Sequence, residues 1–250
     1  MGLILWENIY DEKSNLRKSA AQHYRKTQNF LTRSRAPLLE RVKYSLFLNG
    51  LTNVIKADDE LTEKIGKAFA VSNVLDDALD NKDNELLRRV ISYSRTYLPE
   101  YLQFIDTLVT WKSKLKFDKI EDFIKWDLLE TYGFFTTVTK DISISRELDI
   151  SFRAASVYIN IIDDILDVHI DSVNSQPNIL LFLLSKYNEP VSFSKNSLKL
   201  PFQKNSLNVF APKSTKKIKE LLNEIKPIIT ENHLKVLIMY YDIQLKLLSI

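Results

Sequence analysis

The chain has 250 residues, 45% of them hydrophobic, enough for one large core, and its 35 Lys and Arg against 32 Asp and Glu leave a net charge of only +3. That balance provides no electrostatic footprint for nucleic acid, and the lack of any cysteine excludes disulfides, thiolate zinc sites and cysteine nucleophiles. The four glycines, Gly2, Gly50, Gly66 and Gly133, are too few and too scattered for a Walker loop or a dinucleotide-binding fingerprint.

From the amino end, Met1 to Trp6 meets Glu7 and Asp11 too early for a secretory h-region, and the longest apolar run, Ile179 to Leu184, is too short to span a bilayer. A cytoplasmic protein is the expectation. Apolar residues recur at spacings of three and four almost throughout, with no sustained alternation, so the expected class is all-α. Helices are predicted from about Leu5 to Leu31 and from Pro37 to Asn49, with Pro37 suited to a first turn. A third is predicted from Asp58 toward Arg95, opened by the acids Asp58, Asp59 and Glu60. Pro99 marks the next boundary, followed by helices over Glu100 to Lys114, Lys119 to Val138 and Ser145 to His169. After Pro177 a short helix, Ile179 to Lys186, leads into a polar stretch from Tyr187 to Pro212 with no clear period, read as a loop. Helices over Lys213 to Lys226 and Glu231 to Leu248 close a chain expected to form one domain over residues 1–250.

One eight-residue word occurs twice: NVLDDALD from Asn73 to Asp80, and NIIDDILD from Asn160 to Asp167. On a helix the side chains at i, i+1 and i+4 project toward one side, so Asp76, Asp77 and Asp80 are expected to share ligands, and Asp163, Asp164 and Asp167 to do the same. Carboxylates gathered in this way repel one another unless a cation offsets them, and oxygen-only clusters suit hard ions such as Mg2+. Phe69, Val71, Val74 and Leu75 around the first copy, and Val157, Tyr158, Ile161 and Ile162 around the second, surround these acids with hydrocarbon. A greasy pocket closed by metal ions suits a lipid diphosphate. By contrast His23, His169 and His233 lack the spacing of a zinc helix.

These segments resemble the trans-isoprenyl diphosphate synthases of the class I isoprenoid synthase superfamily, over roughly residues 33 to 171. Arg33 to Leu39 is similar to that family's basic segment, which binds the second substrate's diphosphate, and brings in Arg33 and Arg35. Phe123 to Phe135 resembles the helix carrying a Lys-Thr pair, with Thr131 in the Thr place and Glu130 where the family has Lys. Ala155 to Asp167 resembles the helix of the second Asp cluster, with Asn160 at the Gln position. Arg88 and Arg89 follow the first cluster as a family Arg pair does, and the interval from Asp76 to Asp163 is shorter than is usual there.

The resemblance implies an isoprenoid synthase-type helical bundle whose central cavity is flanked by two Asp-rich helices, with Mg2+ on Asp76, Asp80, Asp163 and Asp167 and all six aspartates catalytic. It implies prenyl diphosphates as substrates, bound by Arg33, Arg35, Arg88, Arg89, Phe69, Val71, Ser72, Thr131, Tyr158 and Asn160, with Val71 and Ser72 leaving room for a longer product. Membrane contact through a lipid product, and a homodimer or a heterodimer with a related synthase, follow from the same likeness. Three activities stay open. They are condensation of an allylic diphosphate with isopentenyl diphosphate, ionisation without isopentenyl diphosphate as in a terpene or head-to-head synthase, and a weakly active or inactive subunit regulating a fuller synthase.

Overall fold

The structure, a computed structural model, describes residues 19–33, 38–112, 114, 116–189 and 206–247. The described residues form helices and turns, with no strand among them. The predicted helical stretch before residue 19, Arg35 and Pro37 in the basic segment, and residues 190–205 of the predicted loop lie outside the described residues.

Helix α1 (Ala20–Thr32) starts where the Ser19 side chain accepts from the Gln22 amide, and ends at Arg33 in a left-handed conformation. After α2 (Leu38–Val54), α3 (Asp59–Asp80) begins under Asp58, whose carboxylate accepts from the Leu61 amide at 2.8 Å. The helix predicted to run on toward Arg95 instead stops at the first Asp word. Lys82 turns into the left-handed region with φ 53, and the Asp83 carboxylate caps α4 (Asn84–Tyr97) by accepting from the Glu85 and Leu86 amides. A 3-10 turn (Pro99–Tyr101) leads into α5 (Leu102–Lys112).

The segment predicted as one helix from Lys119 to Val138 is helical throughout but changes pitch. It comprises α6 (Ile120–Asp127), a π-helical turn (Leu128–Tyr132) and α7 (Gly133–Val138). Helix α8 (Arg146–Asn174) is capped by Ser145 and extends beyond the expected end at His169, until Ser175 turns left-handed at φ 56. Next come α9 (Ile179–Lys186), α10 (Ser206–Phe210) within the stretch expected to be loop, α11 (Pro212–Ile225), a 3-10 turn (Lys226–Ile228) and α12 (Asn232–Leu247).

The two helices bearing the Asp words each bury a continuous apolar face. Along α3 the residues Ile65, Ala68, Ala70, Val71, Val74 and Leu75 have no exposed surface, and on α8 the same holds for Ile162, Ile165 and Val168. Buried apolar residues from Ala20 to Leu245 form one contiguous cluster. Aromatic rings fill its middle: Phe69 packs at 5.0 Å from Phe47, 5.3 Å from Tyr44 and 5.3 Å from Phe134, while Phe135 stacks on Phe152 at 4.0 Å. Tyr158, Lys226 and Asp242 link α8 to the closing helix, and the Ser151 hydroxyl accepts from the Thr230 and Glu231 amides ahead of α12. Among the described residues no helix is long and apolar enough to cross a membrane.

Helix α3 lies close against α1 because Gly66 has no side chain. A Cβ there would stand 2.2 Å from the Ala20 carbonyl oxygen and 2.8 Å from the His23 Cβ. Backbone cannot yield as a flexible side chain can, so Gly66→Ala is expected to lose about 3 kcal/mol of stability, read as a lowered midpoint in chemical denaturation.

Candidate functional site

Helices α2, α3, α5, α8 and α12, with the α6–π–α7 segment, enclose a cavity of about 180 Å³. Asp76 of the first word and Asp163 of the second both line it. With them stand Asn73 and Asn160, the opening residues of the two words, and Ser72, Glu130 and Thr131. Tyr44, Phe47, Phe69, Trp126, Phe134 and Tyr241 supply aromatic walls, and Leu75, Leu79, Leu108 and Ile159 complete the lining.

At the end of α3 the carboxylates find a cation within the chain. The Lys112 ammonium, on the last turn of α5, donates to Asp76 Oδ1 at 3.3 Å and to Asp80 Oδ1. It sits 4.8 Å from the centre of the Trp126 ring. Burial and the neighbouring Asp76 charge raise the Asp80 carboxyl above its usual range, against the pull of Lys112. Burial works against the Lys112 charge too, but Asp76, Glu130 and Asp80 outweigh it and hold the ammonium more firmly protonated than a free lysine.

The π-helical turn carries Glu130 and Thr131 to the cavity wall, and π turns recur at functional sites. Burial, followed by the Asp76 charge, pushes the Glu130 carboxyl well above the carboxylate range, and its hydrogen bond to Asp76 acts in the same direction. Asp127, one turn earlier, is likewise raised by burial and by Asp163, while its hydrogen bond to Asn160 opposes the shift. The Asn160 amide also donates to Thr131 Oγ1 at 3.4 Å, so the second word is wired to the π turn.

The adjacent Asp163 and Asp164 have different tasks. Asp163 lines the cavity, whereas the Asp164 carboxylate accepts from the Ile179 amide at 2.6 Å and its carbonyl accepts from Asn178 Nδ2 at 2.6 Å. Asp164 therefore anchors the start of α9, and burial raises its carboxyl well above the usual range. Asn178 also donates to Asp171 at 2.7 Å; Asp171 is pushed up to about 6, chiefly by burial, with Asp167, Asp80 and Asp76 adding repulsion. Gln176 Nε2 donates 2.8 Å to the Asp80 carbonyl, tying the end of the first word to the turn that follows α8.

Of the residues expected to bind substrate, Phe69, Ser72, Thr131 and Asn160 meet at the cavity, and Ser72 is held there by a 2.6 Å hydrogen bond with Tyr101. Others are elsewhere. Val71 is fully buried in the core and does not line the cavity. Tyr158 is also buried away from the lining and donates to Asp242 at 2.5 Å, serving α8–α12 packing. Arg89 donates to the Phe30 carbonyl at 2.9 Å, Arg88 is exposed, and Arg33 is the exposed left-handed residue that ends α1. Asp77 and Asp167 are exposed on their helices.

Sequence reasoning missed Lys112, Trp126, Asp127, Gln176 and Asn178, and noted Glu130 only as a departure from the Lys expected there. Among the described residues no three His, Asp or Glu side chains gather in metal-ligand geometry. The donor chemistry nevertheless fits a hard divalent cation: the acids of the cavity end are all oxygen donors, and an ammonium already stands between two of them. No protein-family model, curated protein or solved structure matches this chain.

The two neighbours in the second word are separable by experiment. Asp164→Ala is expected to cost about 1–2 kcal/mol in denaturant unfolding through loss of the α9 anchor, and Asp163→Ala much less. Asp171 sets a pH dependence. Its folded carboxyl titrates near 6 against an ordinary 3.8, so its contribution to stability is fully present below about pH 4 and is lost as pH rises through 6. Asp171→Asn should flatten this fall by about 1 kcal/mol after allowance for partial exposure, measured as unfolding free energy between pH 4 and 7.

Proposed function

We propose that the cavity binds an allylic prenyl diphosphate with Mg2+, and that the chain is a prenyltransferase of the polyprenyl diphosphate synthase type, joining this substrate to isopentenyl diphosphate. The observation that carries the reading is the meeting of Asp76 and Asp163, one from each copy of the repeated word, on the wall of one cavity rich in aromatic rings.

Asp76 and Asp80 from α3, and Asp163 with Asp167 one turn on along α8, are the residues that would hold the metal. Bound there, Mg2+ supplies neutralisation of the charge that a departing diphosphate takes up. The protein's own part is to orient and to shelter. Phe69, Phe134 and Trp126 bring their rings to the wall beside which an allylic cation would form, and the apolar lining would keep out water that quenches it. Thr131 and Asn160, joined by their hydrogen bond, offer polar contacts on the wall shared by the two words. At about 180 Å³ the cavity is smaller than the ~300–1,000 Å³ of drug-sized ligand sites, which favours a short allylic tail.

A second reading, ionisation without isopentenyl diphosphate, has one observation in its favour. Glu130 puts a carboxyl on the cavity wall, at the position where the resemblance calls for a lysine, while Arg89 is engaged with the Phe30 carbonyl.

Incubation with Mg2+ and dimethylallyl or geranyl diphosphate, with and without isopentenyl diphosphate, tests both by measured diphosphate release. Release that depends on isopentenyl diphosphate is the expected result, and release without it supports the second reading. Asp76→Asn and Asp163→Asn should each lower the rate by about a hundredfold or more. No release under any of these conditions would remove both readings and leave the non-catalytic subunit.

A further inference from the structure

The Lys112 ammonium lies where a cation serving the first Asp word would lie. It contacts Asp76 and Asp80, the i and i+4 acids that share one face of α3, and belongs to a different helix. Two carboxylates and one ammonium leave a residual negative charge, and Glu130 adds its own electrostatic demand on the same lysine. An ammonium is a point charge on a flexible four-carbon stem, able to swing without disturbing its backbone. Here the charge also faces the Trp126 ring, which lines the cavity, so movement off the carboxylates has a neighbouring place to go.

We propose that Lys112 is a tethered counter-ion of the first Asp word, which holds Asp76 and Asp80 together when no metal is bound and yields them to a divalent cation. On release the ammonium turns along the Trp126 face toward the cavity and meets an anionic ligand there. Lys112 is thus a positioning residue with two states: a substitute for the metal in one, and a partner for phosphate oxygens in the other. The inference rests on the reading of Asp76 and Asp80 as Mg2+ ligands, and it concerns the order of events at that site.

The probe is Mg2+ alone, without prenyl substrate. In the unaltered protein, Mg2+ is expected to raise the reactivity of Lys112 toward an amine-acylating reagent, followed by peptide mass spectrometry against the other lysines. Lys112→Met is expected to melt lower than the parent in EDTA, to bind Mg2+ about tenfold more tightly by calorimetry and to gain more melting temperature from it. Lys112→Arg, which keeps a cation against both acids, should bind Mg2+ no more tightly than the parent. Adding Asp80→Asn should abolish the Mg2+ gain in the Lys112→Met background. Mg2+ that binds while Lys112 reactivity stays unchanged or falls overturns the inference and leaves the metal reading intact. Destabilisation of Lys112→Met without tighter Mg2+ binding overturns it in the same way. No Mg2+ bound by the parent or by any variant overturns both. The acylation experiment uses the parent chain, so the inference stays open to refutation even where Lys112→Met does not fold.

Discussion

Carboxylates held against hydrocarbon need partners, and much of the local structure consists of the partners they have found. Asp80 and Asp76 draw Lys112 in from α5; Asp127 takes the Asn160 amide; Asp164 takes a backbone amide of α9; Asp171 takes Asn178. Each arrangement draws a polar group from another segment to settle charge that burial would otherwise penalise. The result is a set of polar contacts that joins α3 to α5, α6 to α8, and α8 to the start of α9. Its members differ in what they can release. Asp164 is built into a helix start, so its role is fixed by backbone, whereas the Lys112 bridge involves side chains alone.

The all-helical class and most helix positions were legible because the apolar period of three to four persists through the chain and the caps are local. Asp58 opens one predicted helix and Ser145 another, and both cap those helices in the structure, whereas the Asn178 cap went unread. The break after Asp80 was legible but unread: from Asp80 to Glu85 every residue is polar, so the apolar stripe lapses at Lys82 and Asp83, and Asp83 serves as a second cap. The π turn was hidden, because a periodicity of 3.6 cannot show where one extra residue has entered.

The repeated word marked two helices that both reach one cavity, where Asp76, Asp163, Phe69, Ser72, Thr131 and Asn160 meet. The division between Asp163 and Asp164 was beyond reach, because it depends on Ile179 and Asn178 from the following helix. Lys112 was beyond reach for a similar reason: it belongs to no motif, and only the packing of α5 brings it to Asp76 and Asp80. Val71 and Tyr158 show the limit of flanking residues as pointers. Both sit close to an Asp word in sequence, yet their directions on the helix take them into the core and toward α12. Arg89 was read by position after the first word, while its guanidinium is taken up by the end of α1.

The π turn at Leu128–Tyr132 also decides how this segment would bear an inserted or deleted residue. Each residue added to or removed from a helix rotates everything beyond it by about 100°, one residue's share of a turn. A wide turn absorbs such an insertion locally and lets the two flanking helices keep their faces. Trp126 and Phe134 stand on either side of this turn, and both line the cavity. One residue fewer would leave a regular helix whose two ends keep their faces, so the change would fall on the turn itself, and Glu130 and Thr131 owe their place on the wall to its wide pitch.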